Sequence, residues 1–164
     1  FGENSFSSIV LPEGLISIEK GNYGTFGDNS RLCEPIVFPS TLITIGEAAF
    51  ENCRNLKNVI LPNSVTSIRD YAFQNCAGLI SVVIPNSVKT IGRGVFSNCS
   101  GLKSAVIGNG LTEICNGMFA NCKNLESVMI PNTITRIGSY AFDGCTALQA
   151  IEVAEGNIFV ASPN

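Results

Sequence analysis

Histidine and tryptophan are both absent from this 164-residue chain, and charge is scarce. Without histidine, a Ser–His–Asp triad, a Cys–His pair and every histidine-based metal site are excluded. The absence of tryptophan removes the strongest aromatic anchor for sugars or quaternary ammonium ions. Charged residues are only 14 % of the chain, 13 acidic against 10 basic for a formal −3, and neither sign forms a run. A basic groove for nucleic acid or anionic lipid is therefore not expected. No apolar run approaches the roughly 18 residues of a membrane span, so this segment is not expected to insert into a bilayer. The chain opens on Phe1 with neither an initiating Met nor a secretory signal. It reads as a processed product or a piece of something longer. Hydrophobic residues make up 45 %, enough in a chain of this length for one domain with a substantial core.

What is present is a repeat. Phe50, Phe73, Phe96, Phe119 and Phe142 are each 23 residues apart, and so are Cys53, Cys76, Cys99, Cys122 and Cys145. Leu56, Leu79, Leu102, Leu125 and Leu148 keep the interval, as do Ile45, Ile68, Ile91, Ile114 and Ile137. Four columns in one register define an internal repeat, to be read before any single motif.

One unit is L-x-x-V-x-I-P-N-x-V-x-x-I-x-x-x-A-F-x-x-C-x-x. Its first half alternates: Val82 and Ile84 point one way, Ser81 and Val83 the other, which predicts a short strand. Pro85 ends the strand by removing a ladder donor, and Asn86-Ser87 turns the chain. In the second half Ile68, Ala72 and Phe73 stand at i, i+4 and i+5, a spacing that suits a single helical or 3₁₀ turn. One strand and one turn bury little alone. Stacked units let each Leu, Val, Ile and Phe cover its counterpart in the next coil.

The 23-residue period falls in the range of leucine-rich repeats, and Leu79-x-x-Val82-x-Ile84 resembles their L-x-x-L-x-L core. More narrowly, I-P-N-S-V followed by A-F-x-x-C looks like the BspA-like leucine-rich repeats of bacterial surface proteins, over about residues 6–153. The expected fold is an α/β repeat: one right-handed leucine-rich solenoid spanning residues 1–164. It should have about six repeats and seven short parallel strands, near Ile9, Val37, Ile60, Val83, Val106, Met129 and Glu152, with short turns or 3₁₀ segments opposite. The resemblance implies a secreted or surface-attached protein that adheres to host or matrix proteins, with no cofactor. One departure is that Ser64, Ser87, Gly110 and Thr133 fill the slot where many leucine-rich repeats carry an inward Asn, so an asparagine ladder there is not expected.

The ends are less regular. Phe6, Ile9 and Leu11 form a first half-unit. Gly21, Gly24 and Gly27 then mark a looser surface bulge that delays Phe26, and an extra residue precedes Ile36. Ile151 and Val153 begin a seventh strand. Neither end shows a polar capping unit, which makes the chain resemble a slice of a longer array.

Seven cysteines raise disulfide, metal and nucleophile readings in turn. Parallel side chains on coils about 4.8 Å apart keep their Cβ atoms at that separation, beyond the usual disulfide range. A straight row does not converge on a zinc ion, and the column has no shared base or cation to activate a thiolate. The column therefore reads as small buried residues, and the phenylalanines as a core spine. Cys33 and Cys115 stand outside it, and Cys115 takes the place of Gly46, Gly92 and Gly138. The Asn98-Cys99-Ser100 sequon falls inside the core column.

Two outward rows alternate with the core along the strands. The small polar row is Ser8, Asn58, Ser81, Ser104, Ser127 and Ala150. The apolar row is Val10, Val37, Ile60, Val83, Val106 and Met129, closed by Glu152, an exposed stripe roughly 24 Å long. Contiguous apolar surface points to a partner, although β-branched residues also suit strands for their own sake. The candidate contact surface is Ile60, Val83, Val106 and Met129 with Asn58, Ser81, Ser104 and Ser127. Its partner would be a host or matrix protein, or a second copy of the chain. The competing reading is a structural spacer that has no ligand and self-associates. An enzyme is not expected, because the polar column Glu47, Asp70, Arg93, Asn116, Ser139 never repeats a residue.

Overall fold

The computed structural model describes residues 7–20 and 25–154. Phe6, Gly21, Gly24 and the stretch after Ala154 lie outside the described residues. Among the described residues ten short strands follow in order: β1 (Ser17–Ile18), β2 (Thr44–Ile45), β3 (Ser67–Ile68), β4 (Ser81–Ile84), β5 (Thr90–Ile91), β6 (Ser104–Ile107), β7 (Glu113–Ile114), β8 (Ser127–Ile130), β9 (Arg136–Ile137) and β10 (Ala150–Val153). All pairings between them are parallel. They form a solenoid of about six coils; the first returns after 27 residues and, from Thr44 on, each returns 23 residues later to stack on the last.

The expected strand half forms the ladder β4-β6-β8-β10. Ser81 pairs with Ser104 and Ser104 with Ser127, so equivalent residues of successive coils stand directly above one another. Nearer the start, pairing shrinks to the isolated bridges Val10↔Val37 and Asn58↔Ser81. The extra residue before Ile36 disturbs the spacing there, and the adjacent Pro35 has no N–H to contribute to a ladder.

The turn half departs from expectation. Ile68 lies not in a helical turn but in β3, part of a second parallel ladder β1-β2-β3-β5 that resumes as β7-β9. Ala72 and Phe73 follow in consecutive turns, and no helix occurs among the described residues. The reason is backbone conformation. Tyr71 (φ 58°) and Asn75 (φ 60°) are left-handed and interrupt any helix. Their N–H groups, with that of Phe73, turn outward to the next coil: Tyr71 N–H donates to Arg93 O at 3.0 Å, Phe73 to Val95 O at 3.0 Å and Asn75 to Ser97 O at 2.9 Å. The alternate N–H groups of Ala72, Gln74 and Cys76 close local turns on Arg69, Tyr71 and Phe73. Every second donor thus serves the stack and every other one the turn, which satisfies the backbone without helix or sheet.

The core runs the length of the solenoid. Phe50, Phe73, Phe96 and Phe119 are fully buried and parallel-stacked, with centroids 5.2, 5.6 and 5.8 Å apart along the file. Phe26 and Phe142 extend the stack at either end. Leu56, Leu79, Leu102 and Leu125 are equally buried.

Candidate protein-binding face

Alternation along β4, β6 and β8 sends Val82, Ala105 and Val128 into the core and leaves their neighbours in solvent. Ile60 is 73 % exposed, Val83 59 %, Val106 36 % and Met129 46 %. Val10 and Val37 continue the stripe toward the start, and Glu152 follows it at the far end, all exposed. Beside it, Asn58 and Ser81 are exposed and Ser104 and Ser127 half-exposed. The eight residues singled out by the sequence therefore lie on one face.

That face is not flat. A depression of about 560 Å³ has Ile60, Val83 and Val106 as its floor and Asn58 and Ser81 along one side. Asn63, Pro85, Asn86 and Gly108 form the opposite edge, and no charged residue lines it. Met129, Ser104 and Ser127 belong to the same face outside this depression. The Asn and Gly edge is the part that sequence reasoning missed. Its signal was the Pro-Asn pair that ends the strands at Leu61 and Ile84, which reads as a turn but also delivers Asn63 and Asn86 beside the apolar row.

The cysteines are core, as expected, and have a further job. All seven are free thiols, with Cys53, Cys76, Cys99 and Cys122 buried. Each thiol of the 23-residue column donates to the Phe carbonyl one coil back: Cys76 Sγ to Phe50 O at 3.2 Å, Cys99 to Phe73 O at 3.2 Å, Cys122 to Phe96 O at 3.1 Å. Burial pushes the Cys99 thiol up to about 12, and Cys53 likewise. These thiols stay protonated, as donors must. In the first coil Asn29 is the fully buried equivalent.

Cys115 is half-buried, and its Sγ lies 2.9 Å from Ile91 O. In other coils the matching carbonyl accepts a backbone N–H, as Ile68 O does from Gly92 at 2.8 Å. The thiol thus takes over where the second ladder breaks between β5 and β7. Burial, with Glu113 nearby, pushes it up to about 11, the reverse of nucleophile activation.

Opposite the strand face, the unpatterned polar column proves paired. Arg93 meets Asp70 at 3.0 Å and Lys20 meets Glu47 at 2.6 Å, while Glu113 is ion-paired with Arg136. Asp70 Oδ1 accepts the Arg93 N–H at 3.1 Å, and Asn116 Oδ1 that of Ser139 at 3.0 Å. Here charge joins coil to coil. No group of His, Cys, Asp or Glu among the described residues could hold a metal ion.

Parallel coils of this length, with a Leu, Val and Ile core and one open strand face, define a leucine-rich solenoid. The chain belongs to the BspA type leucine rich repeat region family, which matches it in six copies over residues 21–149. This repeat family is generally a non-enzymatic scaffold, and leucine-rich repeat proteins typically mediate protein interactions. Among curated protein sequences none matches significantly. The fold is similar to that of a Treponema pallidum (T. pallidum) leucine rich repeat protein, with TM-score 0.63 and 27 % identity over 87 % of this chain and 78 % of that one. A leucine-rich repeat protein from Eubacterium ventriosum aligns with TM-score 0.64 and 23 % identity, over 82 % of this chain and 46 % of its own. The pneumococcal vaccine antigen PcpA aligns with TM-score 0.76 and 22 % identity, over 93 % of this chain and 42 % of its own. The chain thus spans less than half of the latter two proteins.

Proposed function

We propose that this chain is a protein-binding module of a secreted or surface-attached bacterial protein, and that its strand face adheres to a host or matrix protein. The observation that carries the reading is the uncharged depression floored by Ile60, Val83 and Val106. These side chains gain little from folding, because Val59, Val82 and Ala105 already fill the inward positions. An apolar floor between small polar edges offers both burial and hydrogen bonds to a partner, the composition of an interface centre. Extracellular placement is supported by the family's resemblance to bacterial surface proteins and by the antigen among its structural relatives.

The test is Val83→Glu combined with Val106→Glu. Both sites face solvent, so stability should change by no more than about 1 kcal/mol per site. Capture of extracellular-matrix proteins in a solid-phase assay should fall at least about tenfold, since two carboxylates would be desolvated at the contact. A folded double variant that binds like the parent would overturn the reading. If the parent instead dimerises by analytical ultracentrifugation, and only the variant is monomeric, the self-associating spacer is the better description.

A further inference from the structure

We propose that Asn109 is a self-modification site, where the chain converts its own asparagine to aspartate or isoaspartate at the edge of the strand-face depression. The chain holds two Asn-Gly dipeptides, Asn109-Gly110 and Asn116-Gly117. Both combine a carboxamide with an unhindered following amide, the pair that cyclises most readily and makes asparagine chemically labile. The backbone nitrogen of the glycine attacks the Asn Cγ, a C–N bond forms, and Nδ2 leaves as ammonia. Water then opens the succinimide at one carbonyl or the other. The sum is asparagine plus water giving aspartate or isoaspartate plus ammonia, with no other reactant.

Structure separates the two sites. At Asn116 both reacting groups are engaged. Gly117 N–H donates to Ser139 O at 3.0 Å, and Asn116 Oδ1 accepts from Ser139 N–H at 3.0 Å. Cyclisation there breaks both bonds. At Asn109 the side chain is exposed, and no hydrogen bond engages either its carboxamide or the Gly110 N–H. Only the backbone N–H of Asn109 is held, by Asn86 Oδ1 at 3.0 Å.

The surrounding turn is also the least braced of its kind. Equivalent turns close with Val65 N–H on Pro62 O, Val88 on Pro85 and Ile134 on Pro131, all at 3.1–3.2 Å. Gly108 replaces that proline, and Leu111 N–H makes no such bond. The second ladder then breaks immediately afterwards, between β5 and β7. Nor is Gly110 freely replaceable by a residue that would slow the reaction. A Cβ there would lie 2.3 Å from both Asn86 O and Val88 O of the preceding coil. Other coils carry Ser or Thr in this slot, but in this coil the close approach favours the glycine, and the glycine leaves Asn109 labile. Gly108, its neighbour, lines the depression, whose residues carry no charge. Conversion sets a carboxylate beside it and moves the formal charge of −3 one unit further negative.

The experiment is incubation of the folded protein at mildly alkaline pH, with digestion and mass analysis of the two Asn-Gly peptides over time. A parallel sample is held in denaturant. Aspartate and isoaspartate products are separated by chromatography. In the folded protein Asn109 should convert at least about tenfold faster than Asn116, as expected if two ordinary hydrogen bonds restrain the latter. In denaturant the ratio should fall to about one, because both sites are then unrestrained Asn-Gly dipeptides, differing only in flanking residues (Gly108 and Leu111 against Cys115 and Met118). Native rates that are equal, or faster at Asn116, would overturn the proposal. So would a preference for Asn109 that persists unchanged in denaturant, since local sequence and not the unbraced turn would then be its cause.

Discussion

The turn side and the strand side of this solenoid come from the same 23-residue unit, yet they meet water in opposite ways. The turn side carries charge and spends it internally. Arg93 pairs with Asp70 and covers the Tyr71 ring at 5.3 Å, and backbone donors are divided between turn and next coil. On the strand side the backbone is satisfied by the ladder, but the side chains of Ile60, Val83, Val106 and Met129 have no inward role. A surface whose groups answer one another needs no partner. One that leaves apolar side chains in file is where a partner gains most.

The comparison breaks most severely at the core both sides share. Phe96→Ala removes the middle of the aromatic stack and should cost roughly 3–5 kcal/mol, the range for a buried Phe that leaves a cavity, read from chemical denaturation. A loss under 1 kcal/mol would show that the stack is not the core's spine.

Next comes the thiol column. Cys99→Ala leaves a small void and removes one of the two donors to the Phe73 carbonyl, which keeps the Cys76 N–H at 3.4 Å, for about 1–3 kcal/mol. It should also change the alkaline limb of stability. The folded Cys99 thiol is raised from the ordinary 9.0 to about 12. Between those values the unfolded chain binds fewer protons than the folded one. Its contribution is therefore intact below pH 9.0 and is lost as pH rises toward about 12. Melting temperature against pH should fall less steeply above pH 9.0 in Cys99→Ala than in the parent. Equal slopes would deny the thiol that role.

The smallest effect tests the turn side's own charges. Arg93→Ala removes an exposed ion pair and a ring contact, and should cost at most about 1 kcal/mol, less in high salt. Set beside Val83→Glu with Val106→Glu, it sharpens the contrast. Arg93→Ala should leave matrix-protein capture unchanged, whereas the double variant should lose it at little cost in stability.

Much of this was legible before any coordinates. The four columns of Phe, Cys, Leu and Ile stated the repeat, and strict alternation in Ser81–Ile84 named both the buried and the exposed members of each strand. The second ladder was not legible. Its strands are two residues long, and Ile68, Ala72 and Phe73 mimic a helical spacing that only the left-handed Tyr71 and Asn75 forbid. The charged column misled for a related reason. Asp70 and Arg93 look unpatterned along the chain but complement one another across coils.

By itself the sequence determined the period, the core columns, the parallel stacking and the outward stripe, because each follows from side-chain volume and polarity repeating at a constant interval. The tertiary structure alone decided which backbone donor serves which coil and that cysteine thiols cap phenylalanine carbonyls. It also decided that Cys115 patches a broken ladder, and that Asn109 stands free where Asn116 is held. These depend on hydrogen-bond geometry between residues 22–28 positions apart. No local propensity encodes a partner at that distance, and only the stacking of one coil on another brings it within reach.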